Sequence, residues 1–266
     1  MKVLFAIPLK YPQDKQEYDR IDILLSLTLD SLARQTNQNF IAVVCGHIKP
    51  LRALEQHPRT IWLKAPFPAP TRPQDFRADM GRKRAHIASS LRALAPFYFM
   101  ALDGDDLINE SCVDYVLSKG RKRGVYLKKG YALDFRTGNM APIPGLWGLD
   151  YHRVCGSSAI IYMKPEDLPA GFDDQSPCFY QKVRNHTRAV KNCARAGRRL
   201  IPFPQEGGVY VLNNGANTSY TVIKEKREDI GERIRKLAVT DSLEILAQFV
   251  DPELYLKARE HHCFAV

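Results

Sequence analysis

Three carboxylates fall within four residues at Asp103-Gly104-Asp105-Asp106. Like charges held that close repel strongly unless a cation lies among them, and hard oxygen ligands of this kind suit Mg²⁺ or Mn²⁺. A divalent ion there could bridge a diphosphate and neutralise the charge that grows on it as a leaving group. The plainer explanation is a helix start, with Asp105 or Asp106 capping a helix over Leu107–Ser118. A proton acceptor would complete such chemistry. His186 is the first candidate, because imidazole titrates near neutral pH; it also reads as a polar residue at the start of a helix beginning near Thr187. Asp173 and Asp174 are the carboxylate alternatives, in a segment that reads equally as a turn. Two aromatic residues stand where they could stack on a ligand. Tyr11 could meet a nucleotide base or be an ordinary loop residue. Trp147, in Gly145-Leu146-Trp147-Gly148, could pack on a sugar or anchor its loop.

The elements that must position these residues are legible in the hydrophobic pattern. Val3 to Ile7 is a continuous apolar run stopped by Pro8, the mark of a strand buried on both faces. Ile21, Leu24, Leu25, Thr28, Leu29 and Leu32 recur at helical spacing up to about Thr36. Phe40 to Cys45 reads as the next strand, so strand, helix and strand predict a right-handed crossover, a parallel pair and an α/β fold. A short strand at Thr60–Leu63 leads into a stretch from Ala65 to Pro73 whose four prolines forbid helix and central strand. A basic helix over about Asp75–Leu94 follows. It carries Arg82, Lys83 and Arg84, which cannot all face one ligand at about 100° per residue. Phe97 to Leu102 is then a fourth buried strand, and it delivers the chain to the acidic cluster. Acidic residues placed directly after such a strand point into the crevice where open α/β sheets bind ligands.

Beyond the cluster the pattern predicts strands at Tyr126-Leu127, Ala132–Phe135, Ser158–Met163 and Val209–Leu212. It also predicts a loop over Gly138–Asp150 and a helix over Thr187–Ala196 ended by Gly197 as a left-handed residue. After about Val222 the composition turns to charged helix: Lys224–Ala238, Asp241–Val250 and Pro252 to about Glu260. The mixed signs in Lys224-Glu225-Lys226-Arg227-Glu228-Asp229 argue for a solvent-exposed helix laced with ion pairs.

Phe99-Met100-Ala101-Leu102-Asp103-Gly104-Asp105-Asp106 resembles the strand and DxD motif of GT-A glycosyltransferases, family 2 in particular. Ala6-Ile7-Pro8, Ser31-Leu32-Ala33-Arg34-Gln35-Thr36 and Phe40-Ile41-Ala42-Val43-Val44 are similar to that family's first strand-helix-strand unit. The likeness covers about the first 110 residues and weakens to about residue 220, where Ala196–Pro204 and Asn217-Thr218-Ser219 are similar to the family's C-terminal pattern. It implies a GT-A fold: a Rossmann-like, mostly parallel sheet flanked by helices. Residues 1–110 would bind the nucleotide sugar, 111–221 the acceptor, and 222–266 would form a helical extension and candidate subdomain.

The resemblance also implies inverting transfer of a sugar from a nucleotide-diphosphate donor to a hydroxyl of a carbohydrate or glycolipid. Asp103, Asp105 and Asp106 would hold Mn²⁺ or Mg²⁺, with Pro8, Tyr11, Lys83, Arg84 and Asp103 around the donor, a basic side chain pairing with the pyrophosphate. His152 or Asn214 would be the third metal ligand that many such enzymes bring from later in the chain. Two positions depart from the family. Cys45-Gly46-His47 stands where an aspartate often contacts the base, and Asn185-His186-Thr187-Arg188 stands near a missing Glu-Asp pair.

Composition narrows the alternatives. The formal charge of +10 favours anionic partners. A nucleic-acid-binding module would gather that charge with aromatics on one face, whereas here it is spread along the chain. A sugar-nucleotide pyrophosphorylase would want a glycine-rich loop where Pro8-Leu9-Lys10-Tyr11-Pro12 stands. A non-catalytic carbohydrate- or nucleotide-binding protein of the same fold remains as a third alternative. The six cysteines form no CxxC pair, so neither a zinc knuckle nor a disulfide framework is expected. No uncharged apolar run of membrane-spanning length is present. A cytoplasmic protein is expected, at most peripheral to the inner face of a membrane where a lipid-linked acceptor would lie.

Overall fold

The computed structural model describes residues 1–119, 124–216 and 227–263. Its first part alternates strand and helix: β1 (Val3–Pro8), α1 (Lys15–Ala33), β2 (Phe40–Gly46), α2 (Leu51–Gln56), β3 (Ile61–Lys64), α3 (Phe76–Ser90) and β4 (Phe97–Ala101). β1 pairs in parallel with β2 on one side and β4 on the other, and β3 extends the sheet beyond β2. β1 can occupy the centre because each of its residues is buried, and an apolar strand with no polar side needs cover on both faces. Its alternate side chains serve two cores. Val3, Phe5 and Ile7 pack with α1, while Leu4 and Ala6 pack with Ile87 and Ala88 of α3, as the period of two requires.

The remaining elements are β5 (Leu107–Ile108), α4 (Cys112–Ser118), β6 (Val125–Tyr126), β7 (Lys129–Asp134), β8 (Met140–Ile143), α5 (Tyr151–Val154) and β9 (Ala159–Met163). After these come α6 (Phe179–Val183), α7 (His186–Arg195), β10 (Ile201–Pro202), β11 (Glu206–Leu212), α8 (Arg227–Lys236), α9 (Ser242–Leu246) and α10 (Pro252–Cys263). β9 joins β4 antiparallel, giving a seven-stranded sheet in the order β10-β6-β9-β4-β1-β2-β3. A four-stranded sheet, β5-β11-β7-β8, stands beside it. The molecule is thus α/β, with a mostly parallel central sheet flanked by helices.

Caps explain several boundaries. α1 begins earlier than the apolar spacing indicates because the Asp14 side chain accepts from the Glu17 N–H at 2.8 Å. Asn185 caps α7 on the Thr187 N–H at 3.1 Å, and Gly197 follows the helix with φ +72°, as expected of a left-handed terminator. Two expectations are corrected. Leu107–Ile108 is a strand on β11, and the helix starts only at Cys112, after a turn in which Asn109 Oδ1 accepts from Ser111 N–H at 3.0 Å. The expected loop at Gly138–Asp150 contains β8, whose Pro142 is tolerated because β8 is a sheet edge.

Ile234, Leu246, Phe249, Val250 and Tyr255 from the C-terminal helices lie in the same apolar core as β1 and α1. Among the described residues the tail therefore makes no separate core. Asn217-Thr218-Ser219 and the beginning of the charged segment at Lys224 lie outside the described residues. Among the described residues, no helix is long and apolar enough to cross a membrane.

Candidate functional site

β1 has β2 on one flank and β4 on the other, so the chain leaves these strands in opposite directions and opens a crevice at their carboxyl ends. Leu9-Lys10-Tyr11 follows β1 into this crevice, and Asp103-Gly104-Asp105-Asp106 follows β4. Gly104 permits the approach, since a Cβ there would lie 2.8 Å from Leu9 Cδ2. Pro8 sits buried in the floor, paired with Cys45 across β1 and β2.

The three carboxylates diverge. Asp103 keeps about 30% of its side chain exposed and meets Arg84 Nη2 at 2.5 Å. Its N–H donates to Ser157 Oγ at 2.8 Å, and a Cβ on Gly156 would come within 2.9 Å of its Oδ2. Asp105 accepts from Asn214 Nδ2 at 2.8 Å. Burial, and then the charge of Asp103, push its carboxyl up to about 7, against the pull of Asn214 and Lys10.

Asp106, expected as a third metal ligand, turns inward. It is fully buried, and its oxygens accept from Ser157 Oγ at 2.6 Å, Cys155 Sγ at 3.2 Å and Val211 N–H at 3.3 Å. Burial, with Asp105 and Asp103 adding to it, raises it well above the usual carboxylate range. Asp106 thus ties the end of β4 to residues 155–157 and to β11.

Asp103 and Asp105 are half-buried at the carboxyl end of β4, in contrast to the interior Asp106. No set of three or more His, Cys, Asp or Glu poised around a metal position occurs among the described residues. Magnesium-type ions are commonly held by one or two carboxylates together with substrate phosphates and water, so the pair has the right chemistry for such an ion and leaves the other positions to a ligand. Of the two expected third ligands, only Asn214 is brought against the pair. Asn214 donates to Asp105 and accepts from Ala216 N–H at 2.9 Å, so its amide holds a carboxylate in place. His152 lies edge-on to Tyr126 at 4.8 Å, and burial lowers its pKa.

Of the basic run on α3, Arg84 faces the site and Lys83 does not. Lys83 is wholly buried; its Nζ donates to Leu9 O at 2.8 Å and to Asp79 Oδ2 at 2.5 Å. Asp79 Oδ1 lies 2.7 Å from His47 Nε2. This buried chain joins the loop after β1 to the residue after β2 and takes Lys83 out of reach of a pyrophosphate. His47 in turn stands edge-on to Tyr11 at 5.7 Å and to Phe67 at 5.5 Å. Arg82 lies 4.0 Å from the Phe67 ring centre, closing an aromatic wall on one flank of the crevice. His47 stands out in the sequence only as a departure from the family pattern, and Phe67 not at all, since their partners come from separate segments.

On the other flank, His186 opens α7 and lines a cleft with Arg84, Ala101, Gly156 and Arg184. Burial lowers its pKa; Asp103 opposes this, while Arg84 and Arg77 add to it. The imidazole is therefore neutral at pH 7 and able to accept a proton. Asp173 and Asp174 already have partners, Asp173 on the outer side of the aromatic wall. Asp173 forks onto Arg82 at 3.0 and 3.2 Å, with 64% of its side chain exposed. Asp174 closes a turn, accepting from Ala170 and Ser176, whose hydrogen bonds pull it down to about 2. Trp147 is half-buried over Tyr210 at 6.4 Å, in keeping with a loop anchor. Compared with known proteins, the chain matches no family model and no curated sequence.

Two measurements follow from this geometry. Replacing Lys83 by Met strands the buried Asp79 charge and should cost about 3–5 kcal/mol in denaturant unfolding, whereas Lys83→Met with Asp79→Leu should cost far less. A loss under about 1 kcal/mol in the single variant contradicts the buried pair. For Asp105, the folded pKa of about 7 lies above the ordinary 3.8. Ionisation is then penalised in the folded state, and stability falls as pH rises from about 4 to above 7. In metal-free buffer Asp105→Asn should stabilise the protein at pH 8 and have little effect at pH 4; the reverse trend sinks the burial argument.

Proposed function

We propose that the chain is a metal-dependent glycosyltransferase of the GT-A type, moving a sugar with inversion from a nucleotide-diphosphate donor to a hydroxyl of a carbohydrate or lipid-linked acceptor. The observation that carries this reading is the position of Asp103 and Asp105, together at the switch point of the sheet, between an aromatic wall and a cleft holding a neutral histidine. The expected motif residues supply the pair, and the strand order around β1 and β4 supports the fold resemblance.

In this reading the residues divide the work. Tyr11, His47 and Phe67 present ring faces and edges to the donor base. Arg84, already in the crevice, pairs with the diphosphate. Asp103 and Asp105 would hold Mn²⁺ or Mg²⁺, which when bound supplies charge neutralisation for the departing diphosphate. His186 accepts the proton of the attacking hydroxyl. A nucleotide-sugar-binding protein without turnover is the second reading, favoured by the way Arg84 and Asn214 already engage the two carboxylates.

Donor hydrolysis and transfer, measured with and without Mn²⁺, separate the two. The wild type should need Mn²⁺, and Asp105→Ala should be inactive; undiminished turnover in that variant removes the assignment. His186→Ala should lower the rate by about 10²–10⁴-fold. Because His186 titrates below its ordinary value, the wild-type rate should climb with pH through a midpoint below about 6.5, and this limb should vanish in the variant.

A further inference from the structure

The part of the molecule that carries His186 is charged in one sense. Between Gln175 and Glu206 the chain has seven Lys and Arg and no Asp or Glu. Arg198 is used internally, forked onto Asp167 at 2.6 and 2.9 Å and lying 4.2 Å from the Phe179 ring centre. Arg188, Lys191 and Arg195 are placed differently. Spaced three and four residues apart on α7, they share one face, opposite the buried Ala189 and Cys193. All three are exposed. None enters an ion pair among the described residues.

Arg184, at the end of α6 just before the extended Asn185 that caps α7, lines the same cleft as His186 and Arg84. From Arg188 to Arg195 the row runs on for about 10 Å at the helical rise. Like charges at this spacing destabilise a helix, and no acidic side chain among the described residues pairs with them, so a bound anion would offset them. A membrane surface is the weaker fit. Basic helices that lie on lipid also present large apolar side chains, and none is exposed between residues 176 and 205.

We propose that this row binds an acidic saccharide, carrying carboxylate, phosphate or sulfate groups along its chain, whose hydroxyl end enters the His186 cleft. Naming that saccharide the acceptor rests on the glycosyltransferase reading; the binding itself does not.

The test uses fluorescein-labelled oligogalacturonate, a neutral maltooligosaccharide and phosphatidylglycerol vesicles at about 0.15 M salt, where distant charges are screened. The triple variant Arg188→Glu, Lys191→Glu, Arg195→Glu is compared with Lys49→Glu, Arg52→Glu, Lys64→Glu, an equal charge change toward the β3 edge. Oligogalacturonate should bind the wild type and lose at least about tenfold in the first variant, with under about twofold loss in the control. The maltooligosaccharide should not bind. Equal losses in both variants, no loss in the first, or wild-type binding to vesicles but not to oligogalacturonate overturns the proposal. Thermal stabilisation by nucleoside diphosphates with Mn²⁺, followed in the same proteins, reports on the donor site. Its absence from the wild type alongside the expected saccharide result would remove the glycosyltransferase reading and leave the basic row standing.

Discussion

Three carboxyl groups leave a buried strand within four residues, and water reaches only part of the space they enter. Burial first, and then their mutual repulsion, decides how each must be held. Asp106 is drawn inside by Ser157, Cys155 and the Val211 N–H, Asp103 is met by Arg84, and Asp105 is held by Asn214 with its carboxyl pushed up to about 7. The partners come from α3, from residues 155–157 and from β11 and its exit, so one electrostatic constraint draws the central sheet, α3 and the smaller sheet together.

A second buried charge network holds the other side of the crevice. Lys83, Asp79 and His47 connect the Leu9 carbonyl after β1 to the residue after β2. A wholly buried ammonium is tolerated only where its hydrogen bonds are satisfied. What the network gains is a fixed relation between the loop bearing Tyr11 and the aromatic wall of His47 and Phe67. The site is thus built on a buried ion chain on one flank and a hydrogen-bonded carboxyl cluster on the other, with Arg84 and His186 facing the space between them.

Much of this was legible in the sequence wherever the signal was local. Continuous apolar runs announce β1, β2 and β4, and the leucine spacing announces α1, because burial on both faces or along one stripe leaves no other pattern. The acidic cluster was placed correctly at the end of β4 for the same reason. Short elements escaped: β5, β10, α5 and α6 span two to five residues, too few to show a period. Roles set by distant partners escaped as well. Helical geometry says that Lys83 and Arg84 point different ways, yet which one enters the crevice depends on Leu9 and Asp103. The inward turn of Asp106 depends on Ser157 and Val211, 51 and 105 positions away. Asp173 reads as an available carboxylate until Arg82, 91 positions earlier, claims it.

On the proposed reading Asp103 and Asp105, and not the interior Asp106, hold a divalent ion together with a diphosphate. Electron paramagnetic resonance of Mn²⁺, titrated into the protein with UDP, GDP, ADP or CDP present, measures this directly. One ion should bind the wild type with one of these nucleotides. Binding should be lost in Asp103→Asn and Asp105→Asn and preserved within a few-fold in a folded Asp106→Asn. Manganese that ignores the first two substitutions, or that never binds with any of the four nucleotides, contradicts the claim.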